Sequence, residues 1–564
     1  MTNTSTPTSP GRLSATTAPV VGYSGTLIAA CSAVFVSQAI SALPASLNGL
    51  FQSSLNISGL QLTWITAAFM VSVVVFEFSF GVLGDMFGRK KLVIAGALLA
   101  IVGSIVSALA PSVEVLWLGA AINGLGAGAM FPGSLSLVAA ITHSPEQRAK
   151  AVAMWAGSLS LAAAFGPMAG GIISSGGNWR LSYWFLAGLA AVALLLTGLL
   201  AVESSAPEGR KLDVPGQITF ALGLLLVLYG VIQGAEEGWG SPRILGAFVI
   251  GAALLAAFLV IESKVESPIL HLDLFRNRPF AVTALVSIIG MFTFLGVGYG
   301  MSMWLGPVQH QPPIMIALFF LVVQAPTFVL VPVLSRLLGV INPSWLLAAG
   351  WLLMGVGAFL LSRLDVTNTS FGPFVVPALF VGLGFALALN SMTAVALNNV
   401  PMHLVGMGSA TINMIRDLGF ALGPAIVGSV ALSTAARTFG QNLSGAGLSP
   451  QDQGAAEAIN GIAGPLAVNG LPQGAPGSGA AGVALQALGD GFSRGLLVAA
   501  AAALLAAILT VVLMAGAGGK DPEPEALFDP LHPDVDSEPV VELPIPVHPH
   551  QPGFEGGRPH DERS

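Results

Sequence analysis

The chain has 564 residues, 54% of them apolar and 9% charged, with a mean hydropathy of +0.80 and a formal net charge of -7. No soluble globular chain of this length needs so much apolar sequence, so the composition excludes that class and points to a polytopic membrane protein that binds no nucleic acid. Much of the acidic charge lies after Lys520 and says little about the body, and the single cysteine, Cys31, rules out an intrachain disulfide and argues against a metal centre.

Residues 1–22 are polar and rich in Ser, Thr and Pro. They read as a disordered cytoplasmic N-terminus and not as a cleavable signal peptide, since the first apolar run is itself long enough to span a bilayer. Hydropathy then gives fourteen runs of about 20 residues. They fall at 23–43, 60–82, 91–110, 114–140, 150–173, 181–201, 215–234, 243–261, 280–305, 314–338, 344–363, 373–398, 405–432 and 494–515. Within the last bundle, 437–490 is rich in Gly, Ala, Pro, Ser and Asn and reads as a long external loop. From 517 to 564 the sequence is acidic and Pro-rich, a disordered cytoplasmic tail.

Lysine and arginine fix the orientation. With the N-terminus inside, fifteen fall on one face, among them Arg12, Lys90, Lys150, Arg210, Lys211, Arg278, Arg336, Lys520, Arg558 and Arg563. Five fall on the other: Arg180, Arg243, Arg363, Arg437 and Arg494. The positive-inside rule makes both termini cytoplasmic and leaves Arg416 within a span.

An internal repeat organises the runs. Gly166-Pro167 in the fifth span and Gly423-Pro424 in the thirteenth each follow a span containing Gly-Leu-Gly, at 124–126 and 382–384, with offsets of 257 and 258 residues. The spacing fits two six-helix units in the same orientation, 23–201 and 280–516, separated by two inserted spans within 202–279. Parallel repeats of this kind place a substrate cavity between the halves.

The charged stretch at 81–91, Gly-Val-Leu-Gly-Asp-Met-Phe-Gly-Arg-Lys-Lys, separates two spans and must mark a membrane surface. Its pattern resembles the cytoplasmic loop between helices 2 and 3 of the major facilitator superfamily of transporters. In that family the aspartate and nearby arginine hold the halves together on the cytoplasmic side. The resemblance therefore implies a gate made by Gly81, Gly84, Asp85, Gly88, Arg89 and Lys90, with Asp85 drawn to the start of the thirteenth span near 405–408 by the helix dipole. A carboxylate that only caps a helix or faces water is the plain alternative.

Ala162, Gly166, Pro167, Gly170 and Gly171 resemble the antiporter signature on the family's fifth helix. Positions 162, 166 and 170 form one flat stripe, and Pro167 removes a backbone hydrogen bond and bends the helix. Exporters carry this signature, which implies outward transport. Leu212-Asp213, Gly238-Trp239-Gly240 and Leu274-Phe275-Arg276-Asn277-Arg278-Pro279 resemble the fourteen-span drug:proton antiporter branch, of multidrug efflux type. The resemblance covers about 23–515. It implies an all-α membrane protein of the major facilitator fold, with two pseudo-symmetric six-helix bundles plus two inserted helices. It also implies a cell-membrane monomer without cofactors that exchanges protons for a small amphipathic organic substrate, as in antibiotic resistance.

Three charges fall inside spans. Glu77 lies eight residues before Asp85, roughly 12 Å up the helix and close to the bilayer midplane. An acid there costs about 3 kcal/mol unless it is paired, protonated or facing a wet cavity. Proton or cation binding is the functional reading, and a protonated acid hydrogen-bonded to a neighbouring helix is the plain one. Arg416 and Asp417 lie midway along the thirteenth span, and neighbours on a helix point about 100° apart, so each is expected to find a different partner. Where the family's first helix carries an aspartate this chain has Phe35, and where its fourth carries an arginine it has Ala120, which leaves Glu77 or Asp417 to couple protons.

Gln38, Asn123, Gln324, Asn390, Asn398 and Asn413 could line the cavity with hydrogen-bonding groups, and Trp64, Trp155, Phe292 and Trp304 with aromatic surface. No phosphate-binding loop occurs, which excludes ATP as the driver. The histidines lie in loops, at a span edge or in the tail, which disfavours an intramembrane enzyme. Export of an endogenous metabolite or lipid without standard proton coupling, and a non-transporting sensor of the same fold, remain as alternatives.

Overall fold

A computed structural model of the chain describes residues 20–514 except 143, 207–211, 266, 267, 269, 399 and 401–404. The expected disordered tail, nearly all of the N-terminal stretch, and Arg12, Arg210, Lys211, Lys520, Arg558 and Arg563 lie outside the described residues. Among the described residues every regular element is helical. The first bundle comprises α1 (Val20–Ala42), the short α2 (Asn48–Leu55), α3 (Gly59–Phe87), α4 (Arg89–Ala108), α5 (Val113–Ile141), α6 (Pro145–Ile173) and α7 (Arg180–Leu200). Two helices follow, α8 (Val214–Glu237) and α9 (Pro242–Glu262). The second bundle is built from α10 (Arg278–Met303), α11 (Pro313–Val329), α12 (Val331–Val340), α13 (Pro343–Leu361), α14 (Gly372–Asn398), α15 (Val405–Leu443), α16 (Pro450–Asn469) and α17 (Ala481–Met514).

Local chemistry starts these helices where the hydropathy places them. Ser58 and Gln61 form a reciprocal cap on α3, the Ser58 Oγ accepting from the Gln61 N–H and the Gln61 Oε1 from the Ser58 N–H. Ser241 followed by Pro242 opens α9, and Asn277 accepts from the Phe280 N–H to open α10.

Thirteen helices among the described residues are long and apolar enough to cross a membrane. The predicted run 314–338 is not one unbroken helix. It divides at Leu330 into the 17-residue α11 and the 10-residue α12, with Pro326 and Pro332 on either side of the break. Neither proline has an N–H to give to the preceding turn, which is the physical reason for the interruption. The weakly patterned stretch 437–490 is also more ordered than expected: α15 runs on to Leu443, and α16 packs with the start of α17 around Phe439, Ala456, Val468 and Ala484.

The repeat read from the sequence is a repeat of packing. Helix α1 packs on α5, α6 and α7 as α10 packs on α14, α15 and α17, and the pair α4 and α5 recurs as α13 and α14. The glycines make this possible. A Cβ on Gly126 would meet the α4 backbone at 2.7 Å, at the Ala100 nitrogen, and one on Gly384 would meet the equivalent Met354 nitrogen of α13 at 2.6 Å. The halves meet along two equivalent seams, α3 against α15 and α6 against α11. The inserted α8 lies over the first, where Gln217 hydrogen-bonds to Ser79 and to the Val75 carbonyl of α3 and Gln233 accepts from the Trp64 indole at 3.3 Å.

Candidate functional site

Successive spans alternate in direction, so the helix ends carrying Arg89, Lys90, Lys91, Arg278 and Arg336 fall at one end of the bundle, the basic end. Arg180, Arg243 and Arg363 mark the other, distal end. Between the bundles lies a mostly apolar cavity in two overlapping compartments, one on the distal side and one toward the basic end. Gln38, Phe69, Phe294 and Gln324 line both.

The second compartment holds the three membrane charges together: Glu77, Arg416 and Asp417. Arg416 and Asp417 do not take separate partners as expected for sequence neighbours. The guanidinium is long enough to fold onto the adjacent side chain, its Nε donating to Asp417 Oδ1 at 2.7 Å and its Nη2 to Oδ2 at 3.0 Å. Its Nη1 donates to Asn413 Oδ1 at 3.0 Å, and its carbon lies 5.5 Å from the ring centre of Phe131 in the opposite bundle. Glu77, on α3, lines the same compartment as the pair from the opposite bundle. It is 8% exposed, and its buried Oε2 has no hydrogen-bond partner. A buried carboxylate oxygen so placed is costly unless it carries a proton or meets a cation.

The other predicted residues divide. Gln38, Asn123 and Gln324 line the cavity, Asn123 also accepting from Ser104 at 3.2 Å. Asn390 is exposed and bonds the Ala386 carbonyl, Asn398 is exposed, and Asn413 reaches the site through Arg416. Trp155 packs within the first bundle against Phe131 and donates to Ser134, and Trp64 clusters with Trp117 and Tyr229 outside the cavity. The aromatic lining comes from residues that sequence reasoning passed over, notably Phe69, Phe294, Phe385 and Phe420, with Phe294 stacked on Phe385 at 3.7 Å between ring centres. Phe294, Gly298 and Ser302 recur every four residues along α10, a stripe that could have pointed to them.

The antiporter-type residues are packing surfaces. A Cβ on Gly166 would lie 3.0 Å from the Ala39 carbonyl, and one on Gly171 would lie 2.9 Å from both Ala317 and the Pro313 carbonyl across the seam. Ala162 is fully buried and Pro167 borders the distal compartment. Gly170 is equally tight, against Ser46 and Leu43.

In the motif at the basic end, only Gly88 is a turn, with φ +118°, since α3 runs through Gly81, Gly84 and Asp85. Gly81 has open space where a Cβ would stand, whereas one on Gly84 would meet Leu92 at 2.9 Å. Asp85 Oδ1 accepts from Arg89 Nε and Nη2 at 3.0 and 2.9 Å across the turn. The expected contact of Asp85 with the start of α15 adjoins residues 401–404, which lie outside the described residues.

The distal end is sealed by contacts between the halves. Asn48 donates to Ser302 Oγ at 2.9 Å, Thr63 and Tyr299 hydroxyls bond at 2.6 Å, and a Cβ on Gly49 would lie 3.1 Å from the Gly306 backbone.

Comparison with known proteins agrees with this architecture. The Major Facilitator Superfamily model matches residues 26–424. The multidrug resistance protein Stp of Mycobacterium tuberculosis is 29% identical over 382 residues, covering 68% of this chain and 71% of that protein. The tetracenomycin C resistance and export protein of Streptomyces glaucescens is 25% identical over 416 residues, covering 73% and 77%. Among solved structures, the POT family transporter PepTSo superposes with a TM-score of 0.61 at 16% identity, covering 88% of this chain and 99% of that one, which is a likeness of fold. Two pseudo-symmetric bundles around a central cavity, and a family match across most of both, make this chain a member of the major facilitator superfamily of membrane transporters.

Proposed function

We propose that the chain exports amphipathic organic compounds across the cell membrane by proton antiport, with the two bundles rocking around the central cavity. One observation carries the reading: Glu77 of the first bundle and the Arg416–Asp417 pair of the second line one compartment of a mostly apolar cavity. With Glu77 ionised, the three groups carry one net negative charge, which a proton or a cationic substrate can neutralise. Occupancy by one disfavours the other, and that exclusion is the thermodynamic basis of exchange. Protonated Glu77 can donate to Asp417, whereas ionised Glu77 competes with Asp417 for Arg416, so the proton also changes how strongly the bundles hold each other. The relatives named for drug resistance and export support organic substrates and outward direction.

In this reading the basic end faces the cytoplasm and both termini lie there. The distal seal is the outer gate, and Asp85 with Arg89 belongs to the inner one. The functional unit in this reading is a monomer. The test is uptake of a labelled cationic dye into everted vesicles: an imposed gradient, acidic inside, should raise accumulation severalfold, and accumulation indifferent to that gradient would remove the proton from the reading.

The outer gate gives a graded prediction. Tyr299→Phe deletes the bond to Thr63 and should weaken the seal by about 1 kcal/mol. That is roughly a fivefold shift toward the open distal state, read as faster labelling of a cysteine at Gln52, which is buried there with its side chain on the Leu466 carbonyl. An unchanged labelling rate would take Tyr299 out of the gate.

A further inference from the structure

The Gly88 turn is fastened by a segment the sequence reading did not single out. Gly88 begins α4 but has no side chain with which to cap it, and a helix start leaves backbone N–H groups unpaired. Residues 203–206, which leave the first bundle toward the inserted helices, supply the partners. The Lys90 N–H donates to Glu203 Oε1 at 3.0 Å and the Arg89 N–H to the Ser204 carbonyl at 2.9 Å. In the reverse direction the Ala206 N–H donates to the Asp85 carbonyl at 2.9 Å, closing the end of α3. Glu203 also holds its own segment, its Oε1 accepting from the Ser204 N–H at 3.0 Å. The Glu203 carboxyl occupies the space of the missing side chain: a Cβ on Gly88 would stand 2.8 Å from it. So Gly88 is required twice, by its positive φ and by the carboxylate seated against it.

We propose that Glu203 is a positioning residue of the inner gate: by capping α4 it fixes the corner across which Asp85 and Arg89 pair, and so sets how readily the basic end closes and the distal end opens. The same linker leads into α8, whose Gln217 grips α3 at Val75 and Ser79, so the inserted pair and the gate corner brace one stretch of α3. That gives the inserted helices a part in gating.

The inference rests on the alternating-access reading above, and its test separates the two. In a Cys31→Ser background carrying Gln52→Cys, hydrogen exchange at the Arg89 and Lys90 amides reads the cap, labelling by a membrane-impermeant maleimide reads distal opening, and dye flux reads transport. Glu203→Ala should raise exchange at those two amides at least tenfold, slow labelling severalfold, and lower kcat severalfold with KM within twofold. Glu203→Gln keeps a carbonyl acceptor and should stay near the parent, while Glu203→Asp keeps the charge, falls one methylene short and should behave like Glu203→Ala. The aspartate variant is also the milder one should the alanine variant fail to fold. Parent-like exchange and labelling in both Glu203→Ala and Glu203→Asp would overturn the proposal. So would Glu203→Asp matching the parent while Glu203→Gln fails, which would make charge and not the cap the cause. A parent that labels but moves no dye strikes the transport reading and leaves the exchange and labelling comparison decisive for Glu203.

Discussion

Glu77→Gln should abolish the response of export to a pH gradient, with gradient-driven dye accumulation falling at least tenfold while dye still binds. The amide keeps the size and a donor toward Asp417 but cannot be ionised, so the site is fixed in the form that mimics protonated Glu77. A proton can then be neither taken nor given up. Asp417→Asn should fail differently. It frees Arg416 from its bidentate partner and leaves ionised Glu77 as the other carboxylate of the compartment, so the two bundles should be drawn into a direct charge pair. The expected result is lost transport with a well-folded protein. Arg416→Ala instead leaves two facing carboxylates without their cation, a loss of the kind that costs about 3–5 kcal/mol, so reduced thermal stability should accompany lost activity. If Glu77→Gln retains a full response to the gradient, Glu77 is not the coupling group.

Gly171→Val should lock the distal end open. The residue sits on the α6 and α11 seam, where even a Cβ would lie 2.9 Å from Ala317 and the Pro313 carbonyl and 3.1 Å from the Ile314 Cα. Two of these neighbours are backbone and cannot swing away, so the extra bulk must part the helices. Transport should fall at least tenfold and Gln52→Cys should label constitutively. Gly81→Ala is the matched control: nothing stands within 4 Å of the added methyl, so it should transport nearly as the parent does, although it belongs to the more familiar motif. Equal losses at the two positions would show that glycine content, and not seam contact, is what matters.

The fold was legible because hydropathy and small residues carry it. The twin Gly-Leu-Gly segments at 124–126 and 382–384 occur where a bundle packs backbone to backbone, so a repeat in letters is a repeat in contacts. The cavity was legible only in part. Gln38, Asn123 and Gln324 stand out as polar residues in apolar helices, but Phe294 and Phe385 look like any buried phenylalanine until tertiary structure turns them inward. Arg416 and Asp417 were misjudged because helix geometry gives the direction of a Cβ and not the reach of a guanidinium. Glu203 was invisible, since its role depends on a contact with Lys90, 113 residues away in the chain. The break at Leu330 had a signal in Pro326 and Pro332, which a hydropathy average does not register.

The most direct measurement is a cross-link over the distal seal. With Cys31 replaced by serine, cysteines at Asn48 and Ser302, whose native side chains meet at 2.9 Å, can be joined by a short bifunctional thiol reagent with a cleavable disulfide. Alternating access predicts that the joined protein transports no dye and that reduction restores flux to the level before cross-linking. Full-rate transport by the joined protein would mean that the halves do not separate there, and the proposed outer gate would fall with it.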